Sequence, residues 1–125
     1  MRLPRQRQEN MQTPRRILCV DDEEDVLRGL KRVLRPPRFE TVGALSGAEG
    51  LERLKEEGAE NFDVVVSDMR IPEMNGAQFL SRVREVAPDV SRILLTGQAD
   101  VESSIAAVND GQIFRFLTKP WAPDT

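Results

Sequence analysis

The chain has no histidine, one cysteine and no apolar run long enough to cross a membrane, and each shortage excludes a class of function. Without histidine, Ser/His/Asp catalysis, Cys/His catalysis and histidine-based zinc sites are ruled out. Cys19 has no partner for a disulfide within the chain, and its place in an apolar run predicts a small core residue in a reducing cytoplasm. The arginines of the first sixteen residues are followed by no apolar segment, so the N-terminus does not resemble a signal peptide.

The 125 residues carry a net charge of -3 that is unevenly distributed. Residues 1–16 hold five arginines and one glutamate, whereas the remaining residues hold 13 basic and 20 acidic side chains. An acidic domain argues against direct binding of nucleic acid, which requires a basic face. Residues 1–14 lack periodicity and contain two prolines, so we interpret them as a flexible basic leader and residues 15–125 as one domain.

Short apolar runs alternate with amphipathic stretches along the rest of the chain. The runs predict five strands, at Ile17–Val20, Phe39–Leu45, Asp63–Asp68, Val90–Leu95 and Ile113–Leu117. Four helices are predicted between them: from Glu23 to the Pro36-Pro37 pair, from a Ser46/Glu49 capping box to near Gly58, over Phe79–Val86 before Pro88, and over about Asp100–Asn109. This alternation predicts a doubly wound, parallel α/β sheet.

No fifth helical pattern follows Pro120, so part of one sheet face would lack its cover. We therefore expect either a fragment of a longer chain, truncated after the fifth strand, or a domain whose open face is covered by another subunit.

Polar residues with useful chemistry follow four of the predicted strands. Val64, Val65 and Val66 indicate a central strand buried on both faces, and Asp68 stands at its end. The other three strands are followed by Asp21 and Asp22, by Thr96, and by Lys119. The carboxyl ends of parallel strands share one edge, so three carboxylates should meet there, repelling one another by about 4 kcal/mol per pair at ~4 Å. An oxygen-rich site of this kind suits Mg²⁺.

These residues together predict a phosphoryl-transfer site. Asp68 would attack phosphorus in line, Mg²⁺ would be held by Asp68 with Asp21 or Asp22, and Lys119 would hold another phosphoryl oxygen. Each residue alone has a simpler explanation: Asp68 as a helix cap, Lys119 in a surface ion pair, Thr96 in a turn. Their occurrence in this order after successive strands favours the phosphoryl-transfer hypothesis.

The motif set Asp21-Asp22, Asp68 with Pro72 and Gly76, Thr96-Gly97 and Lys119-Pro120 resembles the CheY-like receiver domain of two-component response regulators, over about residues 15–121. The resemblance implies a (βα)5 flavodoxin-like fold, and the strand order 2-1-3-4-5 is an implication of that family alone. It also implies a cis peptide bond before Pro120. The implied roles are Asp68 as phosphoacceptor, Asp21 and Asp22 as Mg²⁺ ligands with the Arg70 backbone carbonyl, Thr96 and Phe116 as switch residues, and Lys119 as the phosphate-binding lysine.

The family resemblance further implies a sensor histidine kinase, a phosphotransfer protein or a small acyl phosphate as donor. The chain would catalyse only its own phosphorylation and dephosphorylation, with Arg70 and Gln98 tuning hydrolysis. The surface around the fourth helix and fifth strand would then control a C-terminal output domain or a separate effector, and a homodimer is a further candidate assembly. The run from Arg92 to Trp121 is similar to receivers joined to HD-type cyclic dinucleotide phosphodiesterases or to transcription activators.

Two other hypotheses remain open at this point. A receiver-like module that is never phosphorylated would act only as a binding surface, although no acidic residue, threonine or lysine of the motif set is lost. An aspartyl-nucleophile phosphatase acting on an external substrate would usually need a cap or a substrate pocket, for which 125 residues leave little room.

Overall fold

A computed structural model describes residues 14–96 and 115–118, which form a five-stranded parallel sheet with helices on both faces. The strands are β1 (Arg15–Val20), β2 (Phe39–Ala44), β3 (Val64–Asp68), β4 (Ser91–Thr96) and β5 (Arg115–Thr118). The helices are α1 (Glu24–Val33), α2 (Gly47–Glu57) and α3 (Gly76–Val86), with a short 3₁₀ turn at Ala59–Asn61. The parallel α/β architecture predicted from the alternating pattern is confirmed.

The strand order is β2-β1-β3-β4-β5, as the family resemblance implied. Strand β3 is central, and β1 lies between β2 and β3, pairing in parallel with β2 from Arg15↔Phe39 and with β3 from Ile17↔Val64. Because β1 and β3 are neighbours and run in the same direction, the residues that follow β1 lie beside the residues at the end of β3. This register positions the candidate site.

The core has two layers, one on each face of the sheet. On the α2/α3 face the buried side chains include Leu18, Val65, Phe79, Leu80 and Leu94, each 0% exposed. Alternate residues of β1 point to the other face, where they pack against α1. This layer is smaller, and its buried members are Ile17, Cys19, Leu27 and Leu30.

The prediction that β3 is buried on both faces is wrong for one of them. Val65, on the α2/α3 face, is fully buried, whereas Val64 and Val66, on the α1 face, are half-buried. Val64 and Val66 pack against the layer that α1 forms with β1, but this layer buries them only in part.

The ends of α1 and α2 agree with the predicted start and stop signals, whereas α3 begins at Gly76, three residues before the predicted Phe79. The capping interactions of α2 and α3 also differ from the prediction. The Ser46 hydroxyl accepts a hydrogen bond from the Glu49 N–H (3.1 Å), but the Glu49 carboxylate accepts from the Leu45 N–H (2.8 Å), so the box predicted here is only half formed. A complete capping box, which was not predicted, begins α3. There the Asn75 side chain accepts from the Gln78 N–H, and the Gln78 side chain accepts from the Asn75 N–H.

Arg16 forms several contacts with side chains at the edge of the sheet where the strands begin. Its guanidinium forms ion pairs with Glu57 (2.5 Å) and Glu40 (3.2 Å) and lies 4.7 Å from the centre of the Phe62 ring. Its backbone N–H donates to the Asp63 carboxylate (2.9 Å). Partial burial opposes the charge of Arg16, but the two glutamates outweigh burial and raise the pKa of the guanidinium.

Several predicted features lie outside the described residues: the leader over residues 1–13, the helix over about Asp100–Asn109, the first part of the fifth strand and the cis bond before Pro120. Among the helices that the structure describes, none has the length and apolar composition needed to cross a membrane.

Candidate functional site

Three carboxylates meet at the carboxyl-terminal edge of the sheet. The carboxylate oxygens of Asp21, Asp22 and Asp68 lie within 4.8 Å of one another. Their meeting follows from the strand register: Val20 of β1 pairs with Ser67 of β3, so the next residue of each strand reaches the same point of the edge. The predicted acidic cluster is therefore brought together by two neighbouring strands.

The three carboxylates differ in burial. Asp21 is 2% exposed and Asp68 is 9% exposed, whereas Asp22 is exposed at the mouth of the site. Asp21 is held in place, because one of its carboxylate oxygens accepts from the Glu23 N–H (2.9 Å) and its own N–H donates to the Ala44 carbonyl (3.0 Å). The cluster thus has a fixed, buried side and an open side.

This donor set fits a hard divalent cation such as Mg²⁺. Three carboxylates at this spacing repel one another, by about 4 kcal/mol per pair at ~4 Å and an effective dielectric of 20, and a cation relieves that repulsion. Mg²⁺ prefers oxygen ligands and keeps several water molecules, so it needs an open site. A cavity of about 580 Å³ adjoins the cluster and is lined by Asp22, Met69, Arg70, Ile71, Pro72 and Asn75.

The loop between β3 and α3 forms one wall of this cavity. It is closed by a hydrogen bond from the Gly76 N–H to the Met69 carbonyl (2.7 Å). Inside the loop the Met74 N–H donates to the Pro72 carbonyl (2.8 Å), and Glu73 between them has a φ of 74°. The loop is therefore a tight turn, and Arg70, the proposed carbonyl ligand, is exposed on it.

The remaining predicted residues lie at β4, at β5 or beyond. Thr96 ends β4, one residue after Leu95, which pairs with Asp68, and it pairs in turn with Thr118. Phe116 pairs with Leu94 in the β4–β5 ladder. The backbone thus places Thr96 beside the end of β3 that carries Asp68, whereas Lys119 and Gln98 lie outside the described residues.

Comparison with known proteins assigns the family. The model of the response regulator receiver domain family matches residues 17–125. The chain belongs to this family.

Relatives with known names or structures agree with this assignment. The receiver domain is 40% identical over 108 residues to the hydrogenase transcriptional regulatory protein HoxA of Bradyrhizobium diazoefficiens, covering 86% of this chain and 21% of HoxA. It is 38% identical over 107 residues to the transcriptional regulatory protein GlrR of Escherichia coli K12, covering 86% of this chain and 23% of GlrR. The chain therefore spans about a fifth of the length of these relatives.

Solved structures show the same architecture. A response regulator receiver domain protein from Clostridium thermocellum superimposes with a TM-score of 0.79 at 33% identity, covering 86% of this chain and 84% of that one. An adenylate cyclase from Rhodopirellula baltica gives a TM-score of 0.80 at 39% identity, covering 89% of this chain and 80% of that one. The receiver fold is thus shown by both sequence and structure.

Gly76 has a steric role in the receiver domain that its place in the motif did not reveal. A Cβ atom at this position would lie 2.2 Å from the Asp68 carbonyl oxygen, 2.7 Å from Leu94 Cδ1 and 2.9 Å from Met69 Cα. Two of these three neighbours are backbone atoms, which cannot rotate away. The first turn of α3 can therefore pack against the end of β3 at Asp68 only because residue 76 has no side chain.

Ser67 is a site residue that sequence reasoning missed. Its side chain is fully buried, and its hydroxyl donates to the backbone carbonyl of Asp68 (2.9 Å). The only signal in the sequence is a polar residue that interrupts the apolar run of β3 just before the aspartate.

Cys19 is a core residue of the receiver domain, as predicted. It is 2% exposed on β1, in the layer that packs against α1. Burial raises the pKa of its thiol to about 12; the charge of Asp21 adds to this shift, whereas Lys31 opposes it. The thiol is therefore neutral at physiological pH, and it does not act as a nucleophile.

Proposed function

We propose that this receiver domain accepts a phosphoryl group on Asp68 in a Mg²⁺-dependent reaction and thereby switches the surface around the fourth helix and β5. The observation that supports this proposal is the meeting of the Asp21, Asp22 and Asp68 carboxylates within 4.8 Å, beside an open cavity. The donor is a phosphohistidine of a sensor histidine kinase or phosphotransfer protein, or a small acyl phosphate.

Asp68 is the nucleophile in this reaction. One of its carboxylate oxygens forms a bond to phosphorus while the bond from phosphorus to the donor breaks on the opposite side. The bonding electron pair leaves with the donor, as an imidazole that takes up a proton or as a free carboxylate. In a second step a water oxygen attacks the phosphorus, releasing inorganic phosphate and restoring the Asp68 carboxylate.

Asp21 and Asp22 are proposed to hold Mg²⁺ together with Asp68 and the Arg70 carbonyl. Bound Mg²⁺ supplies positive charge that offsets the negative charge of the transferring group. The burial of Asp21 and Asp68 supports this role, because their charges are only weakly screened by solvent water. Lys119 would hold a further phosphoryl oxygen, and Arg70 and Gln98 would tune the rate of hydrolysis.

The switch would follow from the added charge. The phosphoryl group would draw the Thr96 hydroxyl inward, and Phe116 would turn into the space that Thr96 leaves. To change the ratio of inactive to active molecules from 99:1 to 1:99, phosphorylation must favour the active state by roughly 5.5 kcal/mol.

The output is proposed to be a C-terminal domain, as the longer transcriptional regulators among the relatives suggest, or a separate effector. A homodimer is a further candidate assembly. We place the domain in the cytoplasm, where histidine kinases phosphorylate their partners, and propose no direct contact with nucleic acid because residues 17–125 are acidic.

The test is the intact mass of the chain after incubation with acetyl phosphate or phosphoramidate, with and without Mg²⁺. We expect one phosphoryl group on the wild-type protein, none without Mg²⁺, and none on Asp68→Asn. An unmodified wild-type protein at millimolar donor would instead support a receiver that acts only as a binding surface. Repeated turnover of a generic phosphate ester would indicate an aspartyl phosphatase.

A further inference from the structure

We propose that Ser67 is a positioning residue for the phosphoacceptor, acting through the peptide bond that joins Asp68 to Met69. The inference deepens the proposed function and rests on it, since it concerns how the nucleophile is oriented. Ser67 does not contact the phosphoryl group in this proposal. It holds the backbone from which the Asp68 side chain and the following loop extend.

Ser67 places a polar hydroxyl group in an apolar part of the core. Ser67 lies on the α2/α3 face of β3, where its neighbours Leu18, Val65 and Leu94 are fully buried apolar side chains. A buried hydroxyl is costly unless it forms a hydrogen bond. The Ser67 hydroxyl forms one, to the Asp68 carbonyl oxygen at 2.9 Å. A polar group in this core therefore has a definite partner, and that partner belongs to the phosphoacceptor.

The Asp68–Met69 peptide group is held at both of its polar ends. Its carbonyl oxygen accepts from the Ser67 hydroxyl (2.9 Å), and its N–H donates to the Leu95 carbonyl of β4 (2.8 Å). A peptide group is planar, so hydrogen bonds at both ends constrain ψ of Asp68 and φ of Met69. The first torsion relates the peptide plane to the Cα–Cβ bond from which the carboxylate extends, and the second sets the start of the loop that carries the Arg70 carbonyl.

The packing of α3 makes this peptide group sensitive to rotation. Gly76 lies so close to the Asp68 carbonyl oxygen that even a Cβ atom would approach it to 2.2 Å. Without the Ser67 hydroxyl, the carbonyl would keep the steric contact with Gly76 and lose the hydrogen bond from Ser67. We expect the peptide to relax by tilting, which would displace the carboxylate from the direction of in-line attack.

A small displacement of a nucleophile has a large effect on rate, about 100-fold for roughly 1 Å. A tilt of one peptide moves the carboxylate by less than that. We therefore expect Ser67→Ala to lower the maximal rate of phosphorylation by roughly 10-fold and to weaken Mg²⁺ binding by a few fold.

The experiment compares three variants of the whole chain. Ser67→Ala removes the hydroxyl, Ser67→Thr keeps it, and Val65→Ala removes buried volume from the same face of β3 without touching the Asp68 carbonyl. For each variant we would measure the free energy of unfolding, the Mg²⁺ dissociation constant, and the phosphorylation rate as a function of phosphoramidate concentration. The ¹³C shift of the Asp68 carbonyl, measured by NMR without Mg²⁺, reports on the hydrogen bond itself.

We expect Ser67→Ala to change the Asp68 ¹³C shift, the Mg²⁺ constant and the maximal rate, and Ser67→Thr to restore all three to within about twofold. Val65→Ala should lower stability and leave the site parameters of the folded protein unchanged. The proposal is overturned if Ser67→Ala keeps the wild-type Mg²⁺ constant and ¹³C shift, or if Val65→Ala changes them equally. A wild-type protein that takes no phosphoryl group refutes the proposed function, and the Mg²⁺ constants and ¹³C shifts still decide the role of Ser67.

Discussion

Replacing Gly76 by alanine should distort the end of β3 at Asp68, because the new methyl group would clash with backbone atoms of Asp68 and Met69. It would lie 2.2 Å from the Asp68 carbonyl oxygen, and an ordinary contact requires the two atoms to separate by about 1 Å. Forcing extra atoms into a packed core typically costs about 1–3 kcal/mol. Alanine is favoured over glycine inside a helix by about 1 kcal/mol, but Gly76 is the first residue of α3, where this gain is smaller. We therefore expect a net loss of about 1–3 kcal/mol.

Urea unfolding followed by circular dichroism would measure this loss, and titration with Mg²⁺ would show whether the site is distorted. Gly29→Ala is a matched control, because it lies within α1 and a Cβ atom there would meet nothing within 4 Å. The control should gain up to about 1 kcal/mol from helix propensity. If Gly76→Ala were as stable as Gly29→Ala and bound Mg²⁺ with wild-type affinity, the steric argument would be refuted.

Two further predictions concern residues away from the site. A double-mutant cycle with Arg16→Met and Glu57→Gln should give a coupling energy of about 1 kcal/mol by urea unfolding, reduced in 1 M NaCl, and a coupling near zero would show that the ion pair adds nothing. Because burial raises the Cys19 pKa to about 12, folding should keep the thiol protonated above its unfolded pKa of about 9. The free energy of unfolding should then fall as the pH rises above about 9, by up to roughly 1.4 kcal/mol per pH unit, until the thiol of the folded protein also ionises near pH 12. Cys19→Ala should flatten this dependence, and an unchanged slope would argue against it.

The strand and helix pattern was predictable because each element carries its own local signal. The β-branched run before Asp68, the acidic first turn of α1 and the proline pair after it are readable without tertiary information. The meeting of Asp21, Asp22 and Asp68 was also predictable, because parallel strands place their carboxyl ends on one edge. Only the order of the strands required knowledge of the family.

The features that the sequence did not reveal depend on contacts between distant residues. The pairing of Arg16 with Glu57 and the approach of Gly76 to the Asp68 carbonyl become visible only when the elements are packed. Arg92 is a further case: an apolar strand was predicted, yet its arginine is 2% exposed and donates to the Leu80 carbonyl (3.3 Å). Burial, with the nearby Arg84, lowers the pKa of Arg92, and no local pattern marks such a residue.

The register between β1 and β3 makes the chemistry of this domain conditional on folding. Asp22 follows β1 and Asp68 ends β3, and these strands lie side by side only in the completed sheet, with α1, β2, α2 and the 3₁₀ turn between them in the sequence. On the proposed function, a nascent or partly unfolded chain would therefore lack the divalent-cation site and would not react with a phosphoryl donor. Since Mg²⁺ would bind only the native state, a concentration 100 times its dissociation constant would stabilise the fold by about 2.7 kcal/mol. Mg²⁺ would then shift the folding equilibrium toward the native state. Because only native molecules would be phosphorylated, the phosphorylated fraction would give a lower limit for the fraction of folded protein.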